Sequence, residues 1–156
     1  MPDALRAARS VFTILAAHLL TACAPPTPLL APSISTKDGT YIVRDDDGGY
    51  VDEYALRIAE ARVMMAQGSL DRVVITGKIY SAGTMWLSVG CVTPGAELFF
   101  HGAADEHGAL LQRGIDKMAT FYPPEIARAF LADWGRSRMF TRKTGRELVA
   151  MGAKEC

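Results

Sequence analysis

The sequence predicts an α/β domain with a mainly parallel sheet and helices. Short runs rich in β-branched and aromatic residues, "TYIV", "RVVIT" and "AELFFH", read as strands. Longer segments whose apolar residues recur at helical spacing stand between and after them. Alternation of that kind is the signature of helices packed on a mostly parallel sheet.

The elements follow in order. The domain begins near Thr40 with the strand "TYIV", and "RDDDGG", ending in Gly48-Gly49, turns the chain. Val51 to Met65 is a helix: Val51, Tyr54, Ala55, Ile58 and Met65 form its apolar face, Arg57, Glu60 and Arg62 lie mostly elsewhere, and Gly68 ends it. "RVVIT" is a strand of the buried type, "SAGTMWLSV" a short helix closed by Gly90, and "AELFFH" another strand. Leu111, Ile115 and Met118 mark a further helix. Pro124 to Trp134 is the next, with Ala127, Phe130, Leu131 and Trp134 on one face, Pro124 in its first turn and Gly135 at C′. Thr144-x-x-Glu147 is a capping-box pattern for a last short helix ending at Gly152.

The N-terminus of the 156-residue chain reads differently. Arg6 and Arg9 precede an apolar run from Val11 to Leu20, interrupted only by Thr13 and His18. Such a run is short for a stable membrane span and fits the apolar region of a secretory signal. It ends in Leu20-Thr21-Ala22-Cys23, which resembles a bacterial lipobox. The resemblance implies that residues 1–22 are a signal peptide and that Cys23 is lipidated. The alternative is an ordinary cleavage near Ala22, with Cys23 incidental. Residues 24–36 hold four of the eight prolines, so 23–39 is expected to be the lipidated cysteine and an extended tether, and 40–156 the domain. The expected location is the cell envelope, lipid-anchored and facing the periplasm. By analogy, Ala24 rather than Asp after the cysteine favours the outer membrane. In that oxidising compartment Cys91 and Cys156 are the remaining thiols, and a disulfide between them is expected.

A formal net charge of zero gives no global electrostatic support to a nucleic-acid partner. No Cys/His spacing suggests zinc. Three adjacent aspartates at 45–47 in an extended segment cannot all point one way, so they are read as a turn rather than a Ca²⁺ site. No metal or cofactor is expected. The basic stretch "RSRMFTRKTGR" is read as a solvated face, with anionic headgroups or a peptide carboxylate as its alternative ligands.

Three features line up around possible chemistry. Gly48-Gly49 lies between a strand and a helix; "GKIYSAG", from Gly77 to Gly83, does too; and "CVTPGAELFFH" ends at His101. In this order they resemble the Clp-protease-like branch of the ClpP/crotonase superfamily, most of all its small secreted bacterial members. The resemblance covers about residues 40–152. It implies a ClpP/crotonase-like fold, with Ser81 as nucleophile, His101 as general base and peptide or protein substrates. That fold usually opens with a strand and helix before the double-glycine strand. Here they are missing, so the sheet is expected to be truncated on its N-terminal side, which leaves room for a homo-oligomer.

The residues make the same chemistry coherent. Ser81 sits where a strand hands over to a helix, and the Ala82 amide would point from a helix N-terminus at a developing oxyanion. Gly48 or Gly49 could supply the second donor, because glycine lets backbone approach a substrate closely. A neutral serine needs a base within about 3 Å. Past Cys23 only His101 and His107 are available, and His107 lies in the exposed-type loop "DEHG". By family analogy the third member is an aspartate after a long helix; Asp133 is the choice and Asp116 the runner-up. The competing assignments are an N-cap role for Ser81 and a structural histidine at a strand end. Function then divides between a membrane-anchored periplasmic serine peptidase and a catalytically inactive Clp-like domain serving as an envelope binding or structural lipoprotein. Crotonase-type acyl-CoA chemistry is disfavoured, because an exported chain meets little CoA.

Overall fold

The fold is organised around one strand that is paired on both sides. The computed structural model describes residues 38–156; the expected signal peptide, Cys23 and all of the tether but its last two residues lie outside the described residues. The strands are β1 (Thr40–Asp46), β2 (Arg72–Tyr80), β3 (Gly90–Val92), β4 (Glu97–Phe100) and β5 (Thr141–Thr144). The helices are α1 (Val51–Ala66), α2 (Gln112–Ala119), α3 (Pro124–Ala132) and α4 (Gly145–Ala150), with 3-10 segments at Ser81–Ser88 and Trp134–Arg136. β2 pairs in parallel with β1 along one side. On its other side Val73 to Ile75 pair with β3, and Lys78 to Tyr80 pair with β4, both in parallel. β5 closes the far edge antiparallel to β4, giving the order β1-β2-β4-β5. The class is α/β with a mixed, mostly parallel sheet.

Alternate strand residues are buried. Tyr41, Val43, Val73, Ile75, Ile79, Leu98 and Phe100 share one core with Tyr54 and Ile58 of α1, Met85 and Trp86 of the first 3-10 segment, Ile115 of α2, and Ile126 and Phe130 of α3. The residues between them stay wet: Ile42, Arg44 and Lys78 are exposed, and Val74, Thr76, Tyr80 and Phe99 are half-buried. This is the period-2 pattern of a sheet with one covered and one open face.

Local chemistry accounts for each departure from the sequence reading. β2 does not stop at Thr76. It runs through a bulge, where the register passes from Arg44↔Thr76 to Asp46↔Ile79. Gly77 takes φ +69°, and a Cβ there would lie 2.4 Å from Asp45 Oδ1. Asp45 itself has φ +49°, and its Oδ1 accepts the Lys78 amide at 3.0 Å. The bulge lets Ile79 re-enter the core and carries β2 on to Tyr80. The segment after it is 3-10 rather than α-helical. Gly90 begins β3 rather than merely closing a helix. α3 ends at Ala132, and Gly135 lies inside a 3-10 turn instead of at C′. β5 arises within the basic stretch, where Arg142 ion-pairs with Glu97 at 2.8 Å and Lys143 sits 5.2 Å from the Trp134 ring centroid. The capping box of α4 is present, with both Thr144 and Glu147 taking part.

The C-terminus is tied to β3. Val92 donates to Lys154 O at 2.8 Å, Cys156 donates back to Val92 O at 3.3 Å, and Cys91 and Cys156 are joined by a disulfide. The sequence separation of the two cysteines is 65 residues, so the cross-link removes much loop-closure entropy from the unfolded chain. Cys156 is exposed, so Cys156→Ser introduces no buried hydroxyl. This substitution should lower the unfolding free energy by about 2–4 kcal/mol in urea titration. A loss within error of zero would show that the backbone bonds alone hold the tail.

Candidate functional site

Gly48, Ser81 and His101 all follow the carboxyl ends of adjacent parallel strands. Gly48 lies two residues past β1, Ser81 one past β2 and His101 one past β4. Tyr80 and Phe99 are register partners, so Ser81 and His101 leave neighbouring strands at nearly the same level. Neighbouring strands are roughly 4.8 Å apart. Open α/β sheets bind ligands at this carboxyl edge. Gly48 and Ser81 are in intimate contact: a Cβ on Gly48 would fall 2.8 Å from Ser81 Cβ and 2.6 Å from Tyr80 O. Gly48 has φ +81°, so two independent constraints require glycine there.

Ser81 has φ +53°. The left-handed region is uncommon for a serine and stores strain of order 1–3 kcal/mol. A buried hydrogen-bond chain holds it. Thr84 Oγ1 donates to Ser81 O at 2.6 Å, and Thr84 Oγ1 lies 2.7 Å from Tyr122 Oη. The threonine hydroxyl has one proton, which Ser81 O takes, so the Tyr122 hydroxyl must be the donor in the second bond. Thr84 and Tyr122 are both buried, and burial pushes the Tyr122 phenol well above its ordinary value. Ser81 is therefore not a simple N-cap: its side chain makes no capping bond to the 3-10 segment, whose N-cap residue is Tyr80.

Asp46 is a second anchor, and sequence reasoning passed over it as part of a turn. Its Oδ1 accepts the Gly48 amide at 2.8 Å and the Tyr54 hydroxyl. Gly83 packs against the same carboxylate, with 3.0 Å between Asp46 Cγ and the Cβ that Gly83 lacks. Asp46 thus ties the end of β1 to α1 and to the turn that carries Ser81. It also engages the amide of Gly48, one of the two expected glycine donors. Gly49 is exposed beside it, and the Ala82 amide precedes the first i→i+3 bond of the 3-10 segment.

His101 is half-buried. Its Nδ1 lies 2.8 Å from Gly102 O; a carbonyl only accepts, so Nδ1 carries the proton and Nε2 keeps its lone pair. Burial, reinforced by the Arg138 charge, holds the imidazole below its ordinary 6.5, against a smaller upward pull from the Gly102 bond. No hydrogen bond joins Ser81 to His101 among the described residues. Asp133 makes no hydrogen bond to His101 among the described residues either. It is exposed at the C-terminal end of α3, where its backbone caps the helix and accepts the Arg136 amide. The early end of α3 and the tight 3-10 turn after it leave Asp133 in solvent. Asp116 is exposed on α2 and bonded to Gln112. The orienting group at His101 is a backbone carbonyl, a partner that no side-chain motif announces. His107 is exposed and paired with Glu106 at 3.5 Å.

No cluster of metal-ligating side chains occurs among the described residues, and no helix there is long and apolar enough to cross a membrane. Scanning models of known protein families gives no match to this chain, and searching curated proteins gives none either.

Thr84 and Tyr122 were legible only as a polar residue three after Ser81 and a distant tyrosine. Their coupling is testable. Thr84→Val strands the Ser81 carbonyl and the Tyr122 hydroxyl together and should cost about 1–3 kcal/mol in urea unfolding. Tyr122→Phe leaves only one unfilled lone pair and should cost less. Combining them should restore part of the Thr84→Val loss, because one orphaned hydroxyl is removed; simple additivity would mean that the chain does not act as a unit.

Proposed function

We propose that this protein is a serine peptidase of Clp-protease-like type, held at the periplasmic face of the envelope, preferably the outer membrane, by lipid on Cys23. The observation that supports it best is the strained Ser81, φ +53°, at a strand-to-3-10 handover between Gly48 and the strand that leads to His101. Strained exposed turns at a sheet's carboxyl edge are a recurring way to present a nucleophilic serine.

In this mechanism Ser81 Oγ attacks the peptide carbonyl carbon while its proton passes to His101 Nε2. The carbonyl π pair becomes the oxyanion, facing the amides of Ala82 and Gly49; Gly48 then serves by close approach rather than by its occupied amide. Collapse of the tetrahedral species breaks the C–N bond, and His101 returns the proton to the leaving amine. Water repeats the sequence on the acyl-serine and frees the carboxylic acid. Gly102 O takes the orienting role expected of Asp133. Substrate has to draw Oγ and Nε2 together, as apo catalytic hydrogen bonds are often long.

A second reading is an inactive Clp-like domain that binds in the envelope. It is favoured by His101 bonding to a backbone carbonyl and to no carboxylate among the described residues, and by the Asp46 bond to the Gly48 amide. A fluorophosphonate probe separates the two. It should label the wild type and leave Ser81→Ala unlabelled. His101→Ala should lose orders of magnitude, and Asp133→Asn should stay near wild type, because the recorded hydrogen bond of the imidazole goes to Gly102 O and not to Asp133. An unlabelled wild type leaves the binding domain.

Two further outcomes are expected. A general base must be neutral, and burial lowers the His101 pKa, so labelling should rise with pH to a plateau with its midpoint below 6.5. A midpoint above 6.5 would require an anionic partner on His101. Cys23→Ser should release the chain from membranes and abolish incorporation of labelled fatty acid; unchanged membrane association would remove the lipid anchor.

A further inference from the structure

The carboxyl edge that carries Ser81 and His101 also carries a group of aromatic rings on the open face of the sheet. Tyr80, the residue before Ser81, stacks on its register partner Phe99 with centroids 4.4 Å apart and planes 10° apart. Phe140, in the link before β5, folds back and stands edge-on to both, 5.5 Å from Tyr80 and 6.2 Å from Phe99. The same Phe140 ring lies 4.8 Å from the His101 ring at 89°. His101 is two residues past Phe99, so strand alternation would put both on one face. The rings therefore link the residue before the serine to the histidine.

Packing within the domain accounts for only part of this. Phe140 leaves 53% of its surface in water, although it touches three rings. None of the three residues belongs to the buried core. A contiguous aromatic group that stays partly in water, with Tyr80 and Phe99 half-buried and Phe140 exposed, is unfavourable in solvent and often marks a binding surface. Glu97 of β4 and Arg142 of β5 neutralise one another, so that pair adds no net charge beside the rings. Aromatic rings prefer stacked or edge-to-face partners, so a further ring would gain from this geometry beyond the area it buries.

We propose that Tyr80, Phe99 and Phe140 form a side-chain subsite that selects peptides with an aromatic residue flanking the scissile bond. The proposal rests on Ser81 being the nucleophile. It uses Phe140 as a specificity residue: the ring receives the substrate side chain and, through the same contact, brings the peptide against His101.

The test uses the full chain and a mixture of defined peptides that differ only at the residues around one bond, with cleavage positions read by mass spectrometry. Fluorophosphonate labelling is measured in parallel. Wild type should cut bonds flanked by Phe, Tyr or Trp roughly tenfold faster than the alanine equivalents, the discrimination typical of an apolar pocket. Phe140→Ala should bring that ratio close to one, and Phe140→Tyr, which keeps the ring, should restore it. Met139 is 78% exposed, so Met139→Ala should leave the ratio at the wild-type value. If wild type is labelled and cuts without aromatic preference, or if Phe140→Ala keeps the preference, the subsite is wrong and Ser81 chemistry stands. If wild type is neither labelled nor active, both fall together.

Discussion

β2 has hydrogen-bonded neighbours on both sides, and that double pairing constrains everything at its carboxyl end. β1 runs beside it from Arg72 to the bulge and beyond, while β3 and β4 take its two halves on the other side. A strand held in this way cannot slip by one residue without moving Val73, Ile75 and Ile79 out of the core. The position of Ser81, one residue later, inherits that rigidity. So do Gly48 and His101, because they follow strands registered directly on β2. The site lies on loops, but the loops start from one fixed reference.

That rigidity allows Ser81 to stay in a conformation that serine rarely adopts. Three separate contacts over-determine the turn. Thr84 and Tyr122 hold its carbonyl from the buried side; Gly48 closes against its Cβ; and Asp46 lies against Gly83 two residues further on. Each is the kind of interaction that is expensive to break inside a protein, since it would orphan a buried hydroxyl or force backbone into a side chain. Strain at one residue persists where its surroundings supply more than it releases.

The strands and helices were largely legible in the sequence, and the exceptions have physical reasons. α1 could be read because Tyr54 and Ile58 bury at helical spacing, and α4 because Thr144 and Glu147 form a reciprocal cap. β5 could not: "TRKT" has no apolar alternation, and it is a strand because its backbone pairs with β4 while Arg142 and Lys143 find Glu97 and Trp134. The bulge was hidden because Gly77 looked like the end of a strand, when it allows the strand to continue. At the site, residue types gave Ser81, His101 and the glycines, which share the carboxyl edge. Asp46 is hidden because a carboxylate within "DDD" reads as turn chemistry, and Asp133 rests on family analogy, which says nothing about the direction of this helix end. Nor could a backbone orienter such as Gly102 O be seen, because every residue has one.

The Gly102 carbonyl has a consequence for how well His101 can act as a base. An orienting group does two things: it selects the tautomer with Nε2 free, and it stabilises the imidazolium once the proton arrives. Gly102 O performs the first, since it can only accept from Nδ1. It performs the second weakly, because a carbonyl dipole is not a full negative charge, and Arg138 acts in the opposite direction. In triads whose orienting group selects the wrong tautomer, about 10⁴-fold in rate is lost. For the proposed mechanism the Gly102 bond selects the right tautomer, so the penalty would be smaller and would come from the unsupported positive charge. Burial has a mixed effect: it keeps the imidazole neutral and ready near pH 7, and it makes the same imidazole a weaker acceptor of the serine proton. A site built in this way favours readiness over base strength. In the proposed peptidase such a site would depend on substrate contacts that bring Oγ and Nε2 together, and on oxyanion donors that are in place before the proton moves.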